Sequence, residues 1–332
     1  MSFSVDSYLD TGIANANFYG AISDGTYLYY VSVGWPVKIA KISIAGFTKV
    51  GELELNSGSI YYGTEAITTD GTYLYIGTIN SSSKLSIVKI AISSFSAVST
   101  LVLNSYVPET YSPAIYDPVN SKIYFTTYQK ILKIDIATFT LDSALDVGSA
   151  NRAIACLEID SDYLYFGNNI GDSRVVRVSL TTFTISDYID TSAYKGIVSA
   201  TQCGGKLYFG THPAVGETGA FILKIDIASF SLDTALHLPS GEYWIDAGVI
   251  DSSCTYGYFT SSVGYVIKVR LSDFTRVDRI SLAANDYGLN IIMESDYLYL
   301  GSNDDSGKIA KCSTSLPISS ILMYKFRPVV LK

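Results

Sequence analysis

The sequence predicts an all-β fold, a seven-bladed β-propeller of four-stranded blades, and three observations predict it. A short aromatic strand recurs seven times along the chain. A second row of strands, each ending in phenylalanine, runs in step with the first. The N-terminus carries an isolated copy of that second row, which is the piece a closed ring needs.

The first row reads YLYY at Tyr27, YLYIG at Tyr73, KIYF at Lys122, YLYFG at Tyr163, KLYFG at Lys206, YGYF at Tyr256 and YLYLG at Tyr297. Its third positions, Tyr29, Tyr75, Tyr124, Tyr165, Tyr208, Tyr258 and Tyr299, are spaced by 46, 49, 41, 43, 50 and 41 residues. A mean near 45 is the period of propeller blades. The second row reads KISIAGF, KIAISSF, KIDIATF, RVSLTTF, KIDIASF and KVRLSDF, ending at Phe47, Phe95, Phe139, Phe183, Phe230 and Phe274. Between the rows, apolar and polar residues alternate, and joins such as Ser23-Asp24-Gly25 and Thr69-Asp70-Gly71 are turn chemistry. Four short strands fit each unit, and no stretch has the helical period that a βαβ unit requires.

Closure follows from the first ten residues. Phe3 to Asp10 copies Phe139 to Asp146, an outer strand without the three that precede it elsewhere. A ring joined by an N-terminal strand in its last blade leaves no open sheet edge. Residues 1–316 therefore form one propeller, with 1–12 closing the last blade, and residues 317–332 are surplus to the ring. Through DGTYLYIG, KIDIATF and their copies the chain resembles the YVTN and related tandem-repeat propellers, with YLY in place of YVT. That resemblance implies a fold; the activity has to come from particular residues.

Composition narrows the classes. The chain has 332 residues, 31 acidic against 23 basic, a net charge of −8, and 27 tyrosines. Only 16% of residues are charged, against roughly 25% in ordinary soluble proteins. A disordered chain, a collagen and a basic nucleic-acid binder are excluded. The surface must be polar yet largely uncharged, as in extracellular, capsid-like or acid-exposed proteins, although β-rich chains in general favour Tyr and Thr. MSFSVDSYLD has neither the basic start nor the apolar core of a signal peptide, and no run of 18 apolar residues occurs, so no membrane span is expected. The four cysteines, Cys156, Cys203, Cys254 and Cys312, lack metal spacing and are expected as buried thiols. Cys203 and Cys254 precede matching tyrosines of successive repeats, which leaves a disulfide between them as the less favoured alternative.

A basic residue recurs in the third strand of every unit: Lys41, Lys89, Lys133, Arg177, Lys224, Lys268 and Lys311. A ring of anion sites is one reading. Repetition in every blade favours architecture instead, each cation lying against the rings of a neighbouring strand. At Lys133 and Lys224 an Asp two positions on, Asp135 or Asp226, is expected to neutralise the charge.

The asymmetric parts are the connections from each outer strand to the next inner one, which open together on one face. They present Tyr19, Tyr62 (or Tyr61), Tyr111 (or Tyr106), Tyr194, Tyr243 with Trp244, and Tyr287, while the fourth carries Arg152. Aromatic rings with a polar edge suit stacking on a sugar or anchoring a protein; packing between blades is the structural alternative. His212, in a longer loop beside Pro213, joins this set. Glu65, Glu109, Glu242 and Asp246 add carboxylates, and two of them facing each other would do glycosidase work. No GxSxG, HExxH, P-loop or GxGxxG with a helix is present, and neither a cofactor nor a metal is expected.

The apolar, basic tail is expected to pack on its own propeller or on a partner, a second copy included, through Ile321, Leu322, Tyr324 and Phe326. The main expectation is a non-catalytic binding or assembly propeller, on a virus particle or outside the cell, that engages a glycan or protein through the aromatic-rimmed face. In its low charge and its Tyr, Ser and Thr content the chain resembles structural proteins of acidophilic archaea and their viruses. The alternatives are an enzyme on sugars or phosphoesters using Glu242, Asp246 or His212, and an intracellular, cytoplasmic interaction scaffold.

Overall fold

The computed structural model describes residues 3–14, 16–55, 62–80, 82–106, 113–170, 172–213, 219–282, 290–302 and 306–314. Seven four-stranded antiparallel sheets make the ring. Blades one to six span residues 17–55, 62–103, 114–146, 154–190, 196–237 and 245–281. The seventh is built from β26 (Ile292–Glu294), β27 (Tyr297–Gly301) and β28 (Lys308–Ser313), with β1 (Ser4–Asp10) added antiparallel to β28 as its outer strand. The ring is thus closed as the repeat arithmetic predicts. The tail candidates Ile321, Leu322, Tyr324 and Phe326 lie outside the described residues.

The two sequence rows are the two halves of one clasp between blades. Each turn phenylalanine packs on the buried tyrosine of the preceding blade: Phe95 on Tyr29, Phe139 on Tyr75, Phe183 on Tyr124, Phe230 on Tyr165, Phe274 on Tyr208 and Phe47 on Tyr299. Phe3 on Tyr258 supplies the seventh, and ring centroids lie 5.6 to 6.0 Å apart throughout. The six turn phenylalanines adopt φ between 45° and 51°. That left-handed conformation costs about 1–2 kcal/mol for a residue with a Cβ. Burial of the ring offsets it, with about 0.5–1.5 kcal/mol from the aromatic pair itself.

The repeated cation completes the clasp. Lys41, Lys89, Arg177, Lys268 and Lys311 sit 3.9 to 4.5 Å over Tyr27, Tyr73, Tyr163, Tyr256 and Tyr297. Their role is architectural. In blades three and five, lysine replaces that tyrosine, and the expected self-neutralisation fails. Asp135 and Asp226 turn to Lys122 and Lys206, which face them across the ladder, instead of to Lys133 and Lys224. Lys133 pairs with Asp142, and Lys224 lies over Phe274.

Two further devices hold the ring at the end where first and second strands turn. Asp24, Asp70 and Asp160 each accept two backbone N–H bonds within the turn and a hydroxyl bond from Tyr29, Tyr75 or Tyr165 at 2.7–2.8 Å. Blade five has Cys203-Gly204-Gly205 at this place, and Cys203 is disulfide-bonded to Cys254 in the matching turn of blade six. The expectation of free thiols is corrected for this pair, because neighbouring blades repeat at nearly the same height and set the two turns side by side. Cys156 and Cys312 are buried thiols as expected. The closing glycine of YLYFG has a comparable inter-blade role: a Cβ on Gly167 would overlap Ile197 of the next blade, and one on Gly210 would overlap Ile245.

Candidate binding face and channel

The opposite end of the ring carries the outer-to-inner connections together with the second-to-third-strand turns. Cross-bonds confirm that the two sets meet there. Arg152 donates from Nε to the Tyr128 hydroxyl at 3.1 Å, and the Ser262 amide donates to the Trp244 carbonyl at 3.1 Å.

Among the described residues, few of the expected rim aromatics are exposed for stacking on a ligand. Trp244 is 43% exposed at φ 51°, with the His212 ring against it at 4.5 Å. Burial lowers the pKa of His212, so the imidazole is neutral at pH 7. Tyr243 is half-buried beside the Ser240 hydroxyl. Tyr194 is also half-buried, edge-on to Phe221 at 5.2 Å, and has a packing role. Tyr19 is not on the rim but lines the central channel. Tyr111, Tyr287 and Glu109, with the side chains of Tyr62 and Glu65, lie outside the described residues.

The sequence reading missed two aromatics on this face. Trp35, in the Gly34-Trp35-Pro36 turn between β3 (Tyr27–Val33) and β4 (Val37–Ser43), is 63% exposed. Tyr128, in the equivalent turn of blade three, is 39% exposed. The available signal was the rarity of tryptophan: the chain has two, and both stand exposed on this face. Arg152 lies on the same face. With Arg174, whose guanidinium lies 4.3 Å over the Tyr188 ring, it lines a cavity of about 220 Å³ that also contains Asp172.

Of the four candidate carboxylates, the two among the described residues, Glu242 and Asp246, are not arranged as a facing pair. Glu242 is buried, and its oxygens take bonds of 2.6 to 2.9 Å from Arg276 and 3.2 Å from Arg279, both on the outer strand β25 (Thr275–Ser281). Asp246, four residues later on the inner strand β22 (Ile245–Ile250), faces the opposite way and lines a cavity of about 260 Å³ on the ring axis. Glu242 is a structural anchor that fixes the loop bearing Tyr243 and Trp244.

No protein-family model matches the sequence, and no curated protein matches it. Solved structures do. The RRP9 WD40 repeats superpose with a TM-score of 0.76 at 10% identity, over 94% of this chain and 99% of that one. The structure titled U3-55K gives 0.72 at 12% identity, over 90% and 95%. Hydrazine synthase of Kuenenia stuttgartiensis gives 0.72 at 12%, over 93% and 98%. At such identities the likeness establishes the fold alone, a seven-bladed propeller.

Proposed function

We propose that this is a non-catalytic recognition propeller exposed on a particle or outside the cell, engaging a glycan or protein through the Trp35 and Trp244 face. The observation that carries the reading is that both tryptophans of the chain stand exposed at one end of the ring, whereas the tyrosines and phenylalanines of the two repeated rows pack between blades. An exposed indole is a large flat apolar surface with a polar edge, the usual anchor for a sugar face or a protein hot spot. Arg152, Arg174 and Tyr128 give the same face hydrogen-bond donors without a strong net charge.

The inter-blade disulfide supports the exterior setting, since such bonds persist where oxidant prevails and are rare in the cytosol. The sparse charge and the compositional resemblance to structural proteins of acidophilic archaea and their viruses support the same setting. A glycan array, followed by capture from purified particle proteins, tests the reading with wild type and Trp35→Ala, Trp244→Ala. Binding that vanishes in the folded double variant is expected. Binding that survives it, or a partner that docks on the other end of the ring, would overturn the assignment of the face.

A further inference from the structure

The axial cavity is a second site, independent of the tryptophan face. All seven blades contribute to its wall near the start of their inner strands. A β-bulge between Ile245 and Ala247 turns Asp246 into it. In that place Oδ2 is shut off from solvent and has no hydrogen-bond partner among the described residues. The other polar groups of the wall are occupied. Ser199 donates to the Ile245 carbonyl at 2.6 Å, and the Asn290 side chain donates to the Phe18 carbonyl and accepts from the Gly301 amide. Among the described residues no Lys, Arg or His lines the cavity.

A carboxyl group removed from water without a partner is costly. Asp246 as a residue is only partly buried and lines the cavity, so an entering cation reaches its carboxyl from there. We propose that the axial cavity binds a small organic ammonium group, with Asp246 as its counter-ion and the Tyr19 ring as its aromatic neighbour. Among the described residues a metal ion is a poorer match to the donors: one carboxylate falls short of the six to eight oxygens that calcium takes, and there is no cluster of three ligating side chains. An ammonium needs one carboxylate and gains from an aromatic wall. A volume of about 260 Å³ is below that of pockets for drug-sized ligands, roughly 300–1,000 Å³, so the occupant is an alkylamine or a single lysine side chain.

Burial raises the Asp246 carboxyl to about 8, with no charged neighbour acting on it. The elements packed on β22 are β18 (Gly196–Cys203), β19 (Lys206–His212), β23 (Tyr256–Ser261) and β26. Their titratable groups are Lys206, Tyr208, His212, Tyr256, Tyr258 and Glu294, and none lines the cavity. Cys156 does line it, but burial pushes its thiol up and keeps it neutral. An ammonium that pairs with the carboxylate must therefore expel one proton, and its affinity must rise with pH.

Calorimetric titration of the intact protein with n-butylammonium chloride at pH 6, 7 and 8 is the test, with n-butanol as the neutral probe and Asp246→Asn as the variant. We expect one site per chain, with affinity rising about tenfold from pH 6 to pH 7 and flattening near pH 8. Butanol should bind at least about tenfold more weakly, and Asp246→Asn should lose both the binding and its pH dependence. The amide replaces an already neutral carboxyl, so the variant should fold, which its thermal transition checks. Absence of saturable binding at pH 8, equal binding of butanol, or unchanged binding by the variant would overturn the proposal. Nα-acetyl-lysine amide distinguishes the source: competition with butylammonium indicates a partner's lysine, and exclusion indicates a free amine. Failure here leaves the glycan-array result untouched.

Discussion

The two ends of the ring are built on opposite rules. At the end of the first-to-second-strand turns, three blades repeat an Asp–Tyr hydroxyl bond and a fourth replaces it with a disulfide to its neighbour. At the other end the connections differ in sequence from blade to blade, and both tryptophans stand exposed. Repetition marks what every blade needs in order to pack; irregularity marks what only one place on the molecule needs. If that division holds, substitutions at the first end cost stability and leave recognition intact, and those at the second do the reverse.

The largest effect is expected from removing the closing strand. Deletion of residues 1–10 takes Phe3 from Tyr258 and exposes the edge of β28. An open ring with a bare strand edge should lose its single cooperative thermal transition and aggregate. A ring that still unfolds sharply at wild-type temperature would mean that closure is unimportant. Next comes the disulfide, which closes 51 residues of chain between blades five and six. Cys203→Ala with Cys254→Ala should lower unfolding free energy by up to about 4 kcal/mol on the chain-entropy account, and denaturant titration with and without reductant measures it. The Asp turns should matter less. Asp160→Ala leaves the buried Tyr165 hydroxyl and two turn amides without their acceptor, a loss of about 1–3 kcal/mol.

How far the sequence reached differs between the same two ends. The blade count, the closing strand and both rows of the clasp were legible, because each blade restates them and period is visible in one dimension. That the rows contact each other across blades was not, since Phe95 and Tyr29 meet only once the ring is formed. The disulfide was underrated for the same reason: Cys203 and Cys254 are one repeat apart and share no local signature. At the tryptophan-bearing end, loop position indicated Trp244 and Arg152. Trp35 went unnoticed in a short turn of an ordinary blade. The direction of Asp246 was unreadable, because a one-residue bulge decides which side of a strand a side chain takes.

The pH dependence of stability tests whether the channel belongs with the irregular end. Glu158 and Asp246 are raised by burial to about 7 and about 8, whereas in the unfolded chain they ionise near pH 4. The folded state therefore binds more protons between these limits, and stability must fall as pH rises from about 4 to about 8. His212, lowered by burial, works against this below about pH 6.5. Carboxylates lowered by their partners, such as Asp135 beside Lys122 and Asp226 beside Lys206, withdraw their contribution only at stronger acid, as they are protonated through their depressed folded values. The melting temperature should therefore be several degrees higher at pH 5 than at pH 8, and Asp246→Asn should flatten most of the slope. A melting temperature that rises with pH in wild type would place both carboxyls in contact with water.

The smallest effect on stability is expected where the effect on recognition is largest. Trp35 is well exposed and touches no blade clasp, so Trp35→Ala should change unfolding free energy by no more than about 0.5 kcal/mol. As an anchor of the binding face it should cost at least about 2 kcal/mol of affinity, roughly thirtyfold. Measuring both quantities on one variant separates an interface residue from a packing residue in a way that neither does alone. Tyr165→Phe at the other end is the matched control: lower stability with unchanged affinity. A Trp35 variant that melts early, or a Tyr165 variant that binds poorly, would show that the two ends are coupled through the blades and that the division between architecture and recognition is false.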